Sequence, residues 1–432
     1  MVAGRLRALR PRGPLWQRRD YVRLWSAATV SQLGSQVSLL ALPFVAIATL
    51  HATTFEVAAL GVANSVPLIL VALPAGVWID RVPRRRPIMI AADLGRAAAL
   101  SSIPAAYAGG VLTIWQLFAV GLVTGALTVF FDVSSTSFLP SILERELLAE
   151  GNAGLQVSAQ GAQVAGPGLA GALIGALGAP YAVLTDAISF VCSAAFISRI
   201  THVEERVSET ERRSMWIEIR EGLEFVLRHP ILRPNLAFTF TANIFNAILY
   251  AVFLLFAVRH LGMSAREIGL VFVLSNLGSL AGAFLVTRLQ RWFGLGRVML
   301  VTAFSGWALL LIPFASGSDG IALLATALLV WGTGAVIYNT TSVTISQATT
   351  PDRLMARTSA SRRLVSWATI PVATLIGGAL GTYLGLTTTV FIGAAGRALA
   401  GLIILGSPVR SIRTLDEADA LVEARAQVSP SQ

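Results

Sequence analysis

Twelve apolar runs, each about 20 residues or longer, follow one another along this chain of 432 residues. A helix rises 1.5 Å per residue, so about 20 apolar residues cross the hydrocarbon core of a bilayer. Inside lipid the backbone must satisfy its own hydrogen bonds, which a helix does within one segment. The sequence therefore predicts an all-α polytopic membrane protein. Its twelve transmembrane helices are expected near 24–49, 55–79, 87–108, 111–135, 152–177, 180–199, 235–258, 267–289, 297–315, 319–343, 359–383 and 386–406.

The charges are few and unevenly placed. Apolar residues make up 55% of the chain and charged residues 13%, which excludes an ordinary soluble protein. The net charge of +10 comes from arginine alone, because the chain has no lysine. The arginines cluster in alternate loops, at 81–86, 144–150, 200–233, 288–297 and 351–363. Only Arg259 and Arg266 break this alternation.

Positive charge near the ends of membrane spans stays on the cytoplasmic side during insertion. Both termini are therefore expected in the cytoplasm, with the chain in the cell inner (cytoplasmic) membrane and the lipid bilayer as its surroundings. The basic start of the chain lacks a short apolar core followed by a small-residue cleavage site, so no cleavable signal is expected. Because the arginines do not form one face, nucleic acid is not an expected partner.

The sequence predicts five parts. They are a basic tail at 1–22, a six-helix bundle at 23–200, a linker at 201–233, a second six-helix bundle at 234–407 and a tail at 408–432. In the linker, apolar residues recur at helical spacing between charged ones, among them Trp216, Ile219 and Leu223. This pattern indicates an amphipathic helix on the inner membrane surface, or else a solvated linker helix. An offset of 206 relates Gly76 to Gly282 and suggests that the bundles are a repeat.

The short loop between predicted spans 2 and 3 carries a dense group of charges. It contains Gly76, Asp80, Arg81, Arg84 and Arg85. This pattern resembles the signature loop of the major facilitator superfamily, except that Pro83 stands where glycine is usual. The resemblance implies two pseudo-symmetric bundles, a substrate site near mid-membrane between them, alternating access and a monomer.

Two interpretations of this loop remain open. The arginines alone would set the topology. Alternatively, Asp80 pairs with Arg84 or Arg85 in a gate that opens when the protein changes state. Asp132, at the cytoplasmic end of predicted span 4, is well placed to join these arginines.

Several phrases are similar to the bacterial efflux branch of that superfamily, which includes macrolide and enterobactin exporters. They are Ser31-Gln32-Leu33-Gly34-Ser35-Gln36, Ala92-Asp93-Leu94 with Arg96, Phe138-Leu139-Pro140 before Asn152-Ala153, and Glu221-Gly222-Leu223-Glu224-Phe225-Val226 before His229-Pro230. Gly166, Pro167 and Gly171 are similar to the antiporter signature of exporters. Proline there would bend the helix and the glycines would admit a close neighbour, although small-residue packing alone also explains them.

Polar residues follow one face of several predicted spans. Gln156, Gln160 and Gln163 keep the i, i+4, i+7 spacing of one helix face, and the same 206 offset reaches Arg362 and Ser366. Ser31, Ser35 and Ser38 share this spacing and are answered, at an offset of 208, by Thr239, Asn243 and Asn246. Such faces line either a cavity or an interhelical contact. The candidate substrate cavity comprises Gln32, Ser35, Gln156, Gln160, Gln163, Asn243, Asn246, Tyr338, Arg362 and Ser366.

Charges inside the apolar runs are rarer. Asp93 and Arg96 stand three residues apart on one helix face, so they form either a self-satisfying pair or a proton path. Asp186 and Arg397 lie on spans that the resemblance makes peripheral, and their roles stay open. The efflux branch commonly has an acid where Ser35 stands, and drug/proton antiporters usually carry an arginine in span 4, which is absent here. Proton coupling would then depend on Asp132 or Asp93, with Arg96 beside them.

These observations favour a secondary active transporter that exports an amphipathic small molecule, driven by protons. The substrate should be neutral or anionic, because the candidate cavity contains Arg362 and no acid apart from Asp132 at its rim. Uptake is the alternative, and a non-transporting membrane sensor is another. No cofactor, metal or enzymatic activity is expected: Cys192 is the only cysteine, and a chain without lysine has no Gly-x-x-x-x-Gly-Lys loop.

Overall fold

A computed structural model describes residues 13–82, 84–202, 215–317 and 319–414, together with Glu417. Within these ranges the regular structure is entirely helical. Ten described helices are long and apolar enough to cross a membrane. The predicted all-α polytopic fold is confirmed, and the chain is a multi-pass membrane protein.

The chain divides into two compact units. The first comprises 1–50 and 63–209, and the second comprises 51–62 and 210–432. The helices of the first are α1 (Pro14–Gln17), α2 (Arg19–Phe44), the later part of α3 (Thr54–Leu70), α4 (Ala72–Arg81), α5 (Arg86–Ala108), α6 (Ile114–Ile142), α7 (Leu148–Leu177) and α8 (Ala179–Ser198). Helix α8 lies against α2 and α5 at the centre of this packing.

The second unit contains the linker helix and the remaining spans. Its helices are α9 (Met215–Arg228), α10 (Leu232–Leu255), α11 (Ala265–Phe293), α12 (Leu295–Ala303) with a 3₁₀ continuation (Phe304–Phe314), α13 (Gly320–Thr349), α14 (Asp352–Tyr383) and α15 (Leu386–Leu405). Helix α10 packs on α14 and α15, as α2 packs on α7 and α8 in the first unit.

Matching local features repeat in the two units. Helix α2 ends in a π-helical turn at Val45–Thr49, and α10 ends in one at Phe256–His260. The helices that follow these turns, α3 and α11, begin with capping boxes, Thr53 with Glu56 and Ser264 with Glu267. These features are 211 positions apart, whereas the sequence comparison of the same helices gave 208. With the offset of 211, Ser35 corresponds to Asn246, whereas the offset of 208 made it correspond to Asn243.

The second predicted span is divided into two helices, α3 and α4, at Val71. Pro74 lies three residues beyond the division. Its ring lacks the N–H that would bond to Leu70 and presses on that carbonyl, so a continuous helix is disfavoured at this point.

The predicted amphipathic helix exists as α9, although the side chains of residues 215–219, Trp216 and Ile219 among them, lie outside the description. Its Val226 is fully buried with Leu232 and Leu236 of α10. Glu221 forms an ion pair with Arg357 of α14. A Cβ at Gly222 would lie 2.4 Å from the backbone oxygen of Arg357. Leu223, Phe225 and Val226 of α9 thus pack against protein, while Leu227 is exposed.

Helices α11 and α13 approach each other through glycines. A Cβ at Gly278 would lie 2.4 Å from the Leu329 backbone oxygen, and one at Gly282 would lie 2.6 Å from that of Thr333. Such close approach brings small-residue helices into van der Waals contact, which stabilises helix pairs in membranes.

We expect Gly278→Ala to destabilise the second unit by about 1–3 kcal/mol, because backbone atoms cannot yield to the added methyl group. The matched control is Gly61→Ala in α3, where a Cβ meets nothing within 4 Å. The apparent melting temperature of the purified protein in detergent should fall for Gly278→Ala only. Equal melting temperatures for both variants would contradict the tight contact.

His229 caps the start of α10. Its Nδ1 accepts hydrogen bonds from the backbone N–H groups of Ile231 and Leu232, each at 3.2 Å. Burial lowers the pKa of His229 from 6.5 to about 4, against a smaller opposing effect of a hydrogen bond with the Thr349 backbone. An Nδ1 acceptor requires the neutral ring with its proton on Nε2, so the cap and the low pKa agree.

The stability that the neutral His229 contributes should therefore be fully present above pH 6.5 and be lost as the pH falls towards 4, because the unfolded state binds a proton in that window and the folded state does not. The loss attributable to His229 is about 3 kcal/mol. His229→Gln keeps an acceptor and removes the titration. Melting temperatures measured from pH 7 to pH 4 should fall less steeply in this variant than in the parent; parallel curves would exclude the effect.

Candidate functional site

An ion pair lies buried in the first unit. Arg96 donates from Nη2 to Oδ1 of Asp93, one helical turn away on α5, and the two side chains are 4% and 0% exposed. The guanidinium carbon also lies 4.0 Å from the ring centroid of Phe190 on α8 and 4.6 Å from that of Phe131 on α6. Its Nη1 donates to Thr128 at 3.3 Å. Arg96 thus joins three helices through one cation, and cation–π contacts strengthen when water is excluded.

A second carboxylate, Asp186, faces the same region from α8. It is 2% exposed. Its Oδ1 accepts from Ser189 at 3.1 Å and from Ser35 of α2 at 3.4 Å. Phe190, which stacks on Arg96, is four residues further on and therefore on the same helix face. The residue whose role the sequence left open lies beside Arg96.

Asp132 completes the group from α6. Unlike the other two carboxylates it is exposed. Arg96 attracts Asp93 most strongly and Asp132 and Asp186 in addition. Arg96 is therefore paired with Asp93 and attracted by two further carboxylates, and the group of Asp93, Arg96, Asp132 and Asp186 is named the charge cluster.

The signature loop binds the carboxyl ends of two helices. Arg85 is buried and donates to the Ser137 carbonyl of α6 at 3.1 Å. Arg86 donates from Nε to the Ile197 carbonyl of α8 at 3.1 Å. The Ile197 carbonyl lies in the last turn of α8, where a cation complements the unpaired carbonyls and the helix dipole. Arg84 is exposed, and a Cβ at Gly76 would meet nothing within 4 Å.

Asp80 was predicted to pair with Arg84 or Arg85 of this loop. The side chains of Asp80 and Arg81 lie outside the described residues, so the predicted pairing of Asp80 stays a prediction. Asp132 is placed near Arg96 by its attraction to that residue.

The polar stripes of the first unit differ in their surroundings. Gln156, Gln160 and Gln163 of α7 are all exposed. By contrast, Ser31 and Ser38 of α2 are buried, and Ser35 bonds to Asp186 of α8. Ser35 therefore makes an interhelical contact, the second of the two possibilities for such a stripe. Gln32 is partly buried.

In the second unit a polar chain crosses three helices. Tyr338 of α13 donates to Oδ1 of Asn235 on α10 at 2.7 Å. The Asn235 amide donates to the Ser342 hydroxyl at 2.5 Å, and Arg362 of α14 donates to the same hydroxyl at 3.2 Å. Arg362 is partly buried, while Tyr338, Asn235 and Ser342 are buried. The structure thus brings Tyr338 and Arg362 together.

Arg397 occupies, 211 positions after Asp186, the corresponding helix of the second unit. It is 5% exposed, its guanidinium carbon lies 5.0 Å from the Phe238 ring, and it donates to the Ala303 carbonyl at 3.3 Å. A Cβ at Gly306 would lie 2.9 Å from its Nη1. At this position the first unit has a buried acidic residue, Asp186, and the second has a buried basic residue, Arg397.

The remaining candidates have simple contacts. The Asn243 amide donates to the Ser366 carbonyl at 3.4 Å, and Asn246 is partly buried. Gly166 and Gly171 are buried in α7, which continues through Pro167. A Cβ at Gly166 would lie 2.4 Å from the Gln36 side chain of α2, so this glycine admits a neighbouring helix.

Sequence reasoning missed Asn235 and Ser342. Asn235 stands two residues after the last linker arginine, at the edge of an apolar run, so it resembled a helix-start residue. Ser342 belongs to the Thr340-Thr341-Ser342 segment, whose hydroxyls resemble ordinary helix residues. Among the described residues no group of three or more His, Cys, Asp or Glu side chains could hold a metal ion.

Known proteins resemble the chain throughout its length. A family model of the Major Facilitator Superfamily matches residues 24–370. The multidrug efflux pump Tap of Mycolicibacterium fortuitum is 26% identical over 422 residues, covering 94% of this chain and 98% of that protein. The uncharacterized MFS-type transporter YfiS of Bacillus subtilis (strain 168) is 23% identical over 404 residues, covering 91% of this chain and 94% of that protein.

Solved structures share the fold. A bacterial homologue of the iron transporter ferroportin, in an inward-facing state, superposes with a TM-score of 0.71 at 16% identity, covering 90% of this chain and 98% of that one. The nucleoside transporter NupG, in a crystal structure of a point mutant, gives a TM-score of 0.70 at 11% identity, covering 89% and 99%. At these identities the likeness concerns the fold alone.

Removing the guanidinium from the charge cluster should lower the stability of the first unit. We expect Arg96→Gln to destabilise the first unit by about 3–5 kcal/mol, because it leaves Asp93 buried without a counter-ion. The double variant Asp93→Asn with Arg96→Gln should recover much of this loss, since both charges are then gone. The measurement is a double-mutant cycle on melting temperatures in detergent. Additive effects would contradict direct pairing.

Proposed function

The chain belongs to the major facilitator superfamily of membrane transporters, and from this premise we propose that it exports an amphipathic small molecule by alternating access, driven by inward proton flow. The observation that carries the proton drive is the charge cluster. Asp93 and Asp186 are buried in an apolar bundle with Arg96 as their cation, and buried ionisable groups in membrane spans mark ion or substrate pathways. Similarity to the efflux pump Tap over nearly the whole chain supports the direction.

The polar chain of the second unit supports a neutral or anionic substrate. Arg362 contributes a positive charge there, and Arg397 lies close enough to act on Tyr338 as well. Helices α10 and α13 contain no acidic residue in their sequences. A cationic molecule would meet uncompensated positive charge, whereas an anionic or polar neutral group finds donors.

The exposed glutamines of α7 provide a second set of polar contacts, here in the first unit. Amide side chains both donate and accept, so Gln156 and Gln160 suit uncharged polar groups. An amphipathic substrate needs such sparse polar contacts together with apolar surface, which α7 provides in Val157 and Leu169. Gln32, Asn243 and Asn246 are further proposed contacts.

The signature loop is proposed as the conformational switch. Arg85 and Arg86 attach the start of α5 to the carboxyl ends of α6 and α8, so movement of this loop would reach the helices that carry Asp132 and Asp186. Asp80 and Arg84 would act in the same switch. We further propose that the transporter works as a monomer in the inner membrane, with both termini in the cytoplasm.

The test is accumulation of labelled amphiphiles in cells with and without the protein. Energised cells that contain it should hold less of an exported compound, and an uncoupler should remove the difference. Arg362→Gln should weaken export of an anionic compound at least several-fold more than that of a neutral one, whereas exposed Arg410→Gln should alter neither.

Three outcomes separate the possibilities. Greater accumulation in cells that contain the protein would indicate uptake and contradict export. Unchanged accumulation of every compound would favour a sensor. Export that persists with the uncoupler would exclude a proton drive.

A further inference from the structure

We propose that Asp186, rather than Asp132 or Asp93, binds and releases the coupling proton, with Arg96 as the counter-ion that it shares with Asp93. The proposal deepens the proposed function and rests on it for the coupling role. The binding of a proton to Asp186 is a property of the first unit alone and can be measured without a substrate.

The Asp186 carboxylate is poorly solvated. It is 2% exposed, and the donors that face it, on Ser35, Ser38 and Ser189, are all hydroxyls. The Ser189 hydroxyl also faces the Asp186 carbonyl at 2.8 Å, so its single hydrogen is divided between two acceptors. The Ser35 bond is long, at 3.4 Å. A buried carboxylate with such weak donors is stabilised by taking up a proton.

The charged and polar groups that face Asp186 come from the helices packed against it. Helix α5 presents Asp93 and Arg96, and α6 presents Asp132 through the attraction of Arg96. Helix α2 presents Ser35 and Ser38, and α8 itself presents Ser189.

The other charged residues of the neighbouring helices lie further away. Those of α2 are Arg19, Asp20 and Arg23, at least 12 positions from Ser35 and thus about 18 Å along the axis. On α7, Glu150 lies in the first turn. Arg96 is therefore the cation that these helices offer Asp186.

Arg96 is already paired with another acid. Arg96 makes a direct ion pair with Asp93. With Asp93 ionised the pair is neutral, and an ionised Asp186 would add an uncompensated charge to the bundle. Removing a charge from water without a partner is strongly unfavourable. Protonation of Asp186 removes that penalty.

Proton exchange then requires only small movements. When Asp186 loses its proton to water, the O–H bond breaks, the carboxylate gains a charge, and Arg96 is drawn towards α8, where Phe190 already contacts it at 4.0 Å. Asp93 loses part of its ion pair in the same step. Asp132, which is exposed and attracts Arg96, would link the buried pair to solvent. Loss or gain of one proton would thus alter the contacts among α5, α6 and α8.

The direct test is infrared spectroscopy of the purified protein during a pH titration. A protonated carboxyl buried from water gives a C=O band that moves when H₂O is replaced by D₂O. The parent protein should show a titrating band of this kind, and Asp186→Asn should lose it. The control Glu150→Gln, which removes an exposed carboxyl of α7, should retain it. Retention of the band in Asp186→Asn would overturn the proposal.

A second variant covers the case in which Asp186→Asn does not fold. Asp93→Asn frees Arg96 to pair with Asp186, so the titration midpoint of the band should move to lower pH. An unchanged midpoint in Asp93→Asn would overturn the shared counter-ion. Size-exclusion chromatography shows which variants are folded.

Transport of an exported compound separates this proposal from the proposed function. Asp186→Asn should abolish uphill export while exchange of labelled for unlabelled compound continues, because binding remains and the proton step is lost. If the parent exports nothing, the proposed function fails and the infrared result still decides whether Asp186 holds a proton. If Asp186→Asn exports uphill normally, Asp186 is not the coupling residue even though export stands.

Discussion

One guanidinium compensates the buried acid of the first unit, and much of the structure follows from it. Arg96 reaches Asp93 on its own helix, Thr128 and Phe131 on α6, and Phe190 on α8. A charge in an apolar bundle is tolerated only with such partners, so these helices must pack where they do. The same interaction leaves Asp186 and Asp132 competing for what remains of one positive charge. Because the buried carboxylates outnumber the one cation among them, binding or loss of a proton can change how these helices pack.

The second unit repeats the architecture without repeating the chemistry. The π-helical turns and capping boxes recur at 211 positions, and so does a buried ionisable residue on the corresponding helix, Asp186 in one unit and Arg397 in the other. Arg397 sits on Phe238 and bonds to a backbone carbonyl, so its charge has fixed partners. Together with Arg362 it makes this unit positive around Tyr338. The division of labour proposed above, proton exchange in the first unit and substrate charge selection in the second, follows from this asymmetry.

Much of the fold could be predicted from the sequence, because a membrane span is recognised by its own run of apolar residues. The family assignment is confirmed, as is the all-α polytopic fold, and the linker helix was visible in its periodicity. The i, i+3 spacing likewise placed Asp93 beside Arg96. Contacts between helices were harder to predict. For the Ser31, Ser35 and Ser38 stripe the sequence left a cavity and an interhelical contact open, and in the structure Ser35 donates to Asp186 of α8. The hydrogen bond between Asn235 and Ser342 could not be predicted from local sequence, because it joins residues 107 positions apart.

The central claim is that inward proton flow drives export. The most direct measurement is transport of an exported compound by the purified protein in liposomes, under a pH gradient imposed in either direction and with no other energy source. We predict that the compound accumulates against its own gradient only when protons can flow the opposite way, and that protons leave the acidic compartment as the compound enters it. Equal rates with and without the pH gradient, and no accompanying proton movement, would contradict it.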